Sequence, residues 1–340
     1  MQHEITRSLP LLDELGELTE PGYAKKLLPV YRRADIKAPR SRIKEWDYYL
    51  VSNGRFALAL TVADNGYMGM DSISLLDLTE GWEITKSPMS LLPMGRIRLP
   101  ESSASGSVRH GGKTHSLSFE NDGSRRVLTA NMEDFGSEGA LCAEIELTEE
   151  PEESMVICTP FEKPGHFYFN QKINCLRARG QVRYGSRVYD FDPKESFAVL
   201  DWGRGVWTYH NTWYWGSASY HVGGVPFGWN IGYGFGDTTY ATENMLFYNG
   251  KAHKLNHVYF HIPGEETDFM SPWRFSSDNG RFEMDFVPVL DRASCTDFKV
   301  LKSDQHQVFG RFTGRAVLDD GTAIEVKDFP GFAEKVENKW

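Results

Sequence analysis

Apolar and polar side chains alternate along most of this chain. Arg55 to Val62 and Arg281 to Val289 both do so, with the period of two that places successive side chains on opposite faces of a strand. Between such runs stand Asn53-Gly54, Asn65-Gly66, Asp122-Gly123, Gly223-Gly224, Asn249-Gly250, Asn279-Gly280 and Asp320-Gly321. Pairs of this type favour the tight turns of β-hairpins. From Trp46 onward the pattern predicts strands joined by hairpins. Residues 1–45 read differently. Leu11, Leu12, Leu15 and Leu18 approach helical spacing until Pro21-Gly22 breaks the run, and Ala24 to Arg33 suits one more short helix. A short helical N-terminal arm is therefore expected.

A weak internal repeat divides the remainder. Trp46-Asp47-Tyr48-Tyr49 aligns with Trp213-Tyr214-Trp215, and Leu117-Ser118-Phe119 with Met284-Asp285-Phe286, at an offset of 167. Phe56 aligns with Phe227, Leu76-Asp77 with Phe247-Tyr248, and Glu146-Leu147 with Val317-Leu318, at 171. Matches in one order at nearly constant offset suggest two related units. We expect an all-β protein with the arm at 1–45 and antiparallel β-barrel units at 46–192 and 193–340, joined near Pro193. Barrels remove exposed sheet edges and keep a ligand-sized cavity at the mouth.

The chain has 340 residues, 40% hydrophobic and 13% aromatic, with a net charge of −10 and a pI near 5.5. The aromatic share favours β structure or ligand stacking. The acidic balance lacks the basic footprint of a nucleic-acid binder. Asp13, Glu14 and Glu17 interrupt what would be the apolar core of a secretory signal, and no run approaches the roughly 18 apolar residues of a spanning helix. Cys142, Cys158, Cys175 and Cys295 are widely spaced, without a zinc or redox pairing motif. A cytoplasmic protein with free thiols is expected.

Five of the nine tryptophans lie in residues 196–248, together with Asp201, Arg204, Glu243 and Asn244. Charges in such surroundings must be paired or in use. Alternation puts Trp213, Trp215, Ser217 and Ser219 on one strand face, as either a pocket wall or a barrel core. Asp201 ends the apolar run Phe197-Ala198-Val199-Leu200, at an expected cavity rim, where desolvation raises a carboxyl pKa. Arg204 reads as its ion-pair partner across a glycine turn or as a ligand-orienting group. Glu243 shares a face with Ala241, Met245 and Phe247, which favours an inward side chain. Asp201 and Glu243 are thus the acid–base candidates. Trp202, Trp207, Tyr209, Trp213 and Trp215 are candidates for stacking, and Asn230, Asn244 and Arg204 for orienting the ligand. His253, His257 and His261 would form a row rather than a convergent site, so no metal is expected. Gly232-Tyr233-Gly234-Phe235-Gly236 precedes a strand-like run rather than the helix a phosphate loop needs.

Asp-Trp-Gly-Arg-Gly-Val-Trp at 201–207, Trp-Tyr-Trp-Gly-Ser-Ala-Ser at 213–219 and Ala-Thr-Glu-Asn at 241–244 resemble the family catalogued as domain of unknown function 2804. So do His-Gln-Val-Phe-Gly-Arg-Phe at 306–312 and the closing 331–340, and the resemblance spans essentially the whole chain. It implies a calycin-like or lipocalin-like pair of barrels, similar in fold to hydroxyneurosporene synthase and tocopherol cyclase, and brings no catalytic residues. The expected function is a cofactor-independent lyase, hydratase, cyclase or glycan-cleaving enzyme acting on a small glycan or isoprenoid-like ligand. The alternative is a non-catalytic carrier of a small amphipathic molecule.

Overall fold

The hairpin punctuation is realised in full. In the computed structural model, which describes residues 2–297 and 302–339, all seven predicted turns join neighbouring antiparallel strands. Their glycines take positive φ, from 60° at Gly223 to 89° at Gly123, a backbone region open to glycine without steric cost. The protein is all-β.

The strands form two large sheets and one small one. The first large sheet begins at its centre with Ile43–Ser52, from which Phe56–Asp64, Met68–Asp77 and Trp82–Lys86 meander outward. On its other side Ile43–Ser52 pairs with Phe197–Val206, followed by Phe167–Tyr184, Gly139–Thr148, Arg126–Gly136, His115–Asn121 and Gly106–Gly111. The second sheet repeats this plan. His210–Val222 is flanked on one side by Val225–Tyr233, Met245–Tyr248 and Lys251–Lys254. On the other side it pairs with the last strand, Ala323–Lys339, which continues into Lys302–Val317, Phe282–Asp297, Trp273–Ser277 and Val258–His261. Each large sheet therefore pairs its first long strand with its last. Neither ladder closes on itself among the described residues, so the barrels expected from the sequence appear as two curled sheets. The chain passes from one to the other at residues 207–209, whereas the expected join near Pro193 lies in the turn before Phe197–Val206.

The helical arm is corrected. Among described residues before Ile43, helical structure is limited to two three-residue 3-10 turns, Arg33–Asp35 and Arg40–Arg42. Leu11 and Leu12 are buried while Leu15 is 77% exposed, so the leucines share no helical face. Pro10, Gly16, Pro21 and Pro29 interrupt any longer helix. The segment instead lies along the first sheet, where Gly22–Ala24 adds a short strand to Met155–Pro160.

Each sheet curls around its own apolar interior. In the second, the fully buried Trp229 stacks on Phe329 and meets Phe227, Phe282 and Phe312 edge to face. The two sheets then pack against each other along a third zone, built from the Ile43–Ser52, Phe167–Tyr184, Phe197–Val206, His210–Val222 and Ala323–Lys339 strands. The Phe167–Tyr184 strand bulges between Ile173 and Leu176, with Cys175 at φ 62°. There the Asn174 amide donates to Ser217 Oγ at 2.8 Å and to the Trp229 carbonyl at 3.0 Å, tying the sheets together. Trp229→Ala should cost ~3–5 kcal/mol of unfolding free energy. The exposed Leu15→Ala should stay within ~0.5 kcal/mol. Urea titration of both variants checks this ranking.

Candidate functional site

Strand register delivers a set of charged and aromatic side chains to the seam between the sheets. On Phe197–Val206, positions 199, 201 and 203 face the seam, while 202 and 204 face the interior of the first sheet. Trp46 is the Cα partner of Gly203 across the ladder. A Cβ on Gly203 would lie 1.9 Å from the Trp46 indole, so the missing side chain makes room for that ring. The indole N–H then donates to Asp201 Oδ2 at 3.1 Å. Asn170 Nδ2 donates to Asp201 Oδ1 at 2.5 Å.

The centre of the seam is Lys172, nearly fully buried. Its ammonium lies 3.3 Å from Asp201 Oδ1, 3.6 Å from Glu243 Oε2 and 3.3 Å from the Tyr168 hydroxyl. It also sits 4.3 Å from the centroid of the Trp215 ring, a cation–π contact. One buried cation thus brackets both carboxyls singled out by the sequence. Asp201 belongs to the first sheet and Glu243 to the loop before Met245–Tyr248 of the second. Gly232 clears the way for Glu243, since a Cβ there would stand 2.8 Å from Oε1. Asn230 Nδ2 reaches the Glu243 carbonyl at 2.8 Å and Oε2 at 3.3 Å, and Asn230 Oδ1 accepts the Trp215 indole N–H at 2.6 Å.

A third carboxyl, Glu334, completes the cluster. It accepts from the Trp213 indole at 3.1 Å and from Gln307 Nε2 at 2.9 Å. Burial pushes its pKa up to about 7, against the lowering pull of Trp213, Arg292, Gln307 and Lys172. The Tyr168 hydroxyl is raised well above its ordinary range, first by burial and then by Glu243, Asp201 and Glu334. Burial likewise raises Tyr48 to about 12. The seam therefore holds one carboxyl that titrates near neutrality and two that are paired with Lys172, the separation of roles that acid–base chemistry uses.

The other expected residues divide. Trp213 and Trp215 face the seam, and buried Trp207 packs edge-on against Trp46 and Trp213. Tyr209 is 51% exposed on the connection between sheets. Asn244 accepts from Gly232 N and donates to the Asn256 carbonyl, both at 2.7 Å, which braces the Glu243 loop. Trp202 and Arg204 point away from the seam. The expected glycine turn is continuous strand, so residues 201 and 204 lie on opposite faces. Arg204 pairs with Asp47 at 2.9 Å and lies over the Trp202 ring at 4.1 Å inside the first sheet. Asp201 is likewise mid-strand rather than at a strand end. Lys172, Asn170, Tyr168 and Glu334 were not identified from the sequence. They come from strands distant in the chain, and within Phe167–Tyr184 burial on both faces leaves no alternation to read.

The segments that carry the recognition motifs converge on this seam, and the family model of the domain of unknown function DUF2804 matches residues 2–340. The chain belongs to this DUF2804 family. No curated protein matches it significantly. Among solved structures, an AttH-like protein from Nitrosomonas europaea superposes with a TM-score of 0.49 at 12% identity, covering 91% of this chain and 96% of that one. Kievitone hydratase from Nectria haematococca gives a TM-score of 0.46 at 9% identity, covering 98% of each.

Two predictions follow from how this DUF2804 protein builds its seam. Lys172→Met strands two carboxyls and should cost ~3–5 kcal/mol. Glu243→Gln leaves Lys172 paired with Asp201 and should cost no more than about 1 kcal/mol. Denaturant titration at pH 7 compares them. For Glu334, the folded form binds its proton more tightly than the unfolded chain does. Its stabilising contribution is complete below about 4.5 and is lost as pH rises through about 7. The melting temperature of the wild type relative to Glu334→Gln should therefore fall between pH 5 and pH 8; a pH-independent difference would contradict the assignment.

Proposed function

We propose that this protein is an acid–base enzyme of the lyase, hydratase or cyclase kind, acting on a small molecule held in the seam between its two sheets. The observation that carries this reading is the pairing of Asp201 and Glu243 with one buried ammonium within aromatic walls, with a third buried carboxyl, Glu334, held by Trp213 and Gln307 within the field of that ammonium. Burying several charges together is costly, and a merely structural seam is better served by apolar packing. In the proposed mechanism the neutral Glu334 carboxyl donates a proton to the substrate. Asp201 and Glu243, held by Lys172, stabilise the positive charge that develops, and the Trp213 and Trp215 ring faces shield it from water.

The carrier reading has its own support. Both Asp201 oxygens already accept hydrogen bonds, so the charges are satisfied without a substrate. A panel of small unsaturated and hydroxylated compounds separates the two. The enzyme should convert at least one, and Glu334→Gln, folded by thermal melt, should lose about 100-fold or more in kcat/KM. Wild-type kcat/KM should decline as pH rises through about 7, as Glu334 loses its proton. Binding with no conversion favours the carrier, and conversion undiminished in Glu334→Gln removes that residue as the acid.

A further inference from the structure

The short strand Met89–Leu91 carries apolar side chains where an edge strand ordinarily carries charge. It pairs with Met68–Asp77 on one side and with no strand on the other among the described residues. Met68 stands opposite Leu91, and Met70 opposite Met89. Directly opposed residues of an antiparallel pair share a face, so these four side chains form one block. On the other face, Gly69 lies against Ser90, Pro93 and Ile97. The block itself is open: Met89 is 68% exposed and Leu91 84%, and Leu92, at 49%, extends it.

The turn that follows holds its apolar residues outward at a cost. Leu92 and Met94 take φ of 51° and 47°, the left-handed region that L side chains disfavour. Their amides donate to the Tyr67 and Gly66 carbonyls, each at 2.9 Å, which pins the turn to the hairpin before Met68–Asp77. Neither the exposure nor the strain stabilises the chain itself. A partner outside the chain accounts for both.

The charge around the block selects that partner. From Lys86 to Pro100 the chain has three cations, Lys86, Arg96 and Arg98, and no acid, although its net charge is −10. All three are exposed. None is ion-paired among the described residues, whereas Arg55, Arg109 and Arg187 on other parts of the surface each meet a carboxylate. The Arg96 guanidinium donates to the Leu92 carbonyl, which sets one charge at the edge of the apolar block. A second copy of the chain suits this surface poorly. A two-fold contact would set the same arginines against each other, and so few side chains fall short of the ~800 Å² per partner of a stable interface. A peptide seats its side chains in pockets or a groove, and residues as exposed as Leu91 form neither. An anionic bilayer meets each requirement. Its head-group boundary accepts protruding apolar side chains and attracts nearby cations, while the acidic remainder of the protein is repelled and so turned away.

We propose that Met68, Met70, Met89, Leu91 and Leu92 dock this protein on the surface of an anionic lipid bilayer, with Lys86, Arg96 and Arg98 at the head groups. The docking is interfacial, and it stands apart from the seam chemistry proposed above. The test is co-sedimentation of the wild-type protein with vesicles of phosphatidylcholine alone or with about 30% phosphatidylserine. We expect at least about tenfold tighter binding to the mixed vesicles, lost as salt rises from about 0.1 M to about 1 M. The double variant Met89→Asp/Leu91→Asp should melt as the wild type does and bind about tenfold or more weakly. Arg96→Gln/Arg98→Gln should lose the preference for phosphatidylserine. Val287→Asp, at an exposed apolar residue of the second sheet, should bind as the wild type does. If Met89→Asp/Leu91→Asp fails to fold, the arginine variant and the two vesicle compositions still decide. Absence of binding to mixed vesicles, equal binding to both kinds, undiminished binding by either folded double variant, or an equal loss in Val287→Asp overturns the proposal. A dimer in sedimentation velocity that Met89→Asp/Leu91→Asp abolishes overturns it as well, since the block would then belong to a second copy.

Discussion

The buried ammonium of Lys172 is the constraint around which the sheets are arranged. A cation this far from water is tolerated only if carboxyls and hydrogen-bond acceptors replace its hydration. Its partners come from both halves of the molecule: Asp201 and Tyr168 from the first sheet, Glu243 and the Trp215 ring from the second. Sliding one sheet over the other would separate the ammonium from half of its neighbours. The Asn174 bulge acts beside it in the same sense, through hydrogen bonds to Ser217 and Trp229. Apolar packing in the seam is non-directional, so these polar contacts are what specify one relative position of the sheets.

The N-terminal segment belongs to this arrangement although it lies outside both large meanders. Gln2 accepts from Thr242 N at 2.6 Å and donates to the Leu255 carbonyl at 2.9 Å, and His3 N donates to the Tyr240 carbonyl at 2.8 Å. These bonds hold the loop that carries Glu243. Gly22 lets His3 approach, since a Cβ there would stand 2.6 Å from the His3 carbonyl oxygen. Beneath the same loop Lys254, half-buried and lowered by desolvation to about 7, donates to Thr242 Oγ1 and to the Asn244 carbonyl. A loop has no ladder to fix it, so Glu243 owes its position to contacts from distant parts of the chain.

Local chemistry was legible in the sequence and non-local pairing was not. Asn-Gly and Asp-Gly pairs announce hairpins because the turn itself demands positive φ. Trp213, Trp215, Asp201 and Glu243 stood out because charge and indole are conspicuous within one segment. Lys172 lies in Phe-Tyr-Phe-Asn-Gln-Lys-Ile-Asn-Cys, where residues on both strand faces are buried, one against the first sheet's interior and one against the seam. Alternation vanishes in such a strand, and only the ladder reveals that Lys172 is the Cα partner of Asp201. Glu334 sits in a closing strand whose partner is likewise set by tertiary structure. The placement of Trp202 and Arg204 on the other face of their strand was not legible for a narrower reason. Gly203 and Gly205 suggested a turn, but they are the small residues of a strand that packs closely on Trp46 and on the Phe167 carbonyl.

The two buried cations of neighbouring strands show why one is structural and the other suited to chemistry. Arg204 donates to the carbonyls of Trp46 and Pro100, each at 2.7 Å, and to Asp47 at 2.9 Å. Backbone acceptors cannot move without moving the sheet, and a planar guanidinium matched to several of them is fixed in place. Lys172 has only side-chain neighbours, at 3.3 to 3.6 Å, and an aromatic face. Its single ammonium can shift among those partners by rotating a flexible stem, and the carboxyls can exchange it for a ligand donor without disturbing a ladder. Charge held by rotatable groups is charge that can respond when a substrate arrives. That difference, more than burial itself, is why the proposed chemistry is assigned to the seam and the interior of the first sheet to framework.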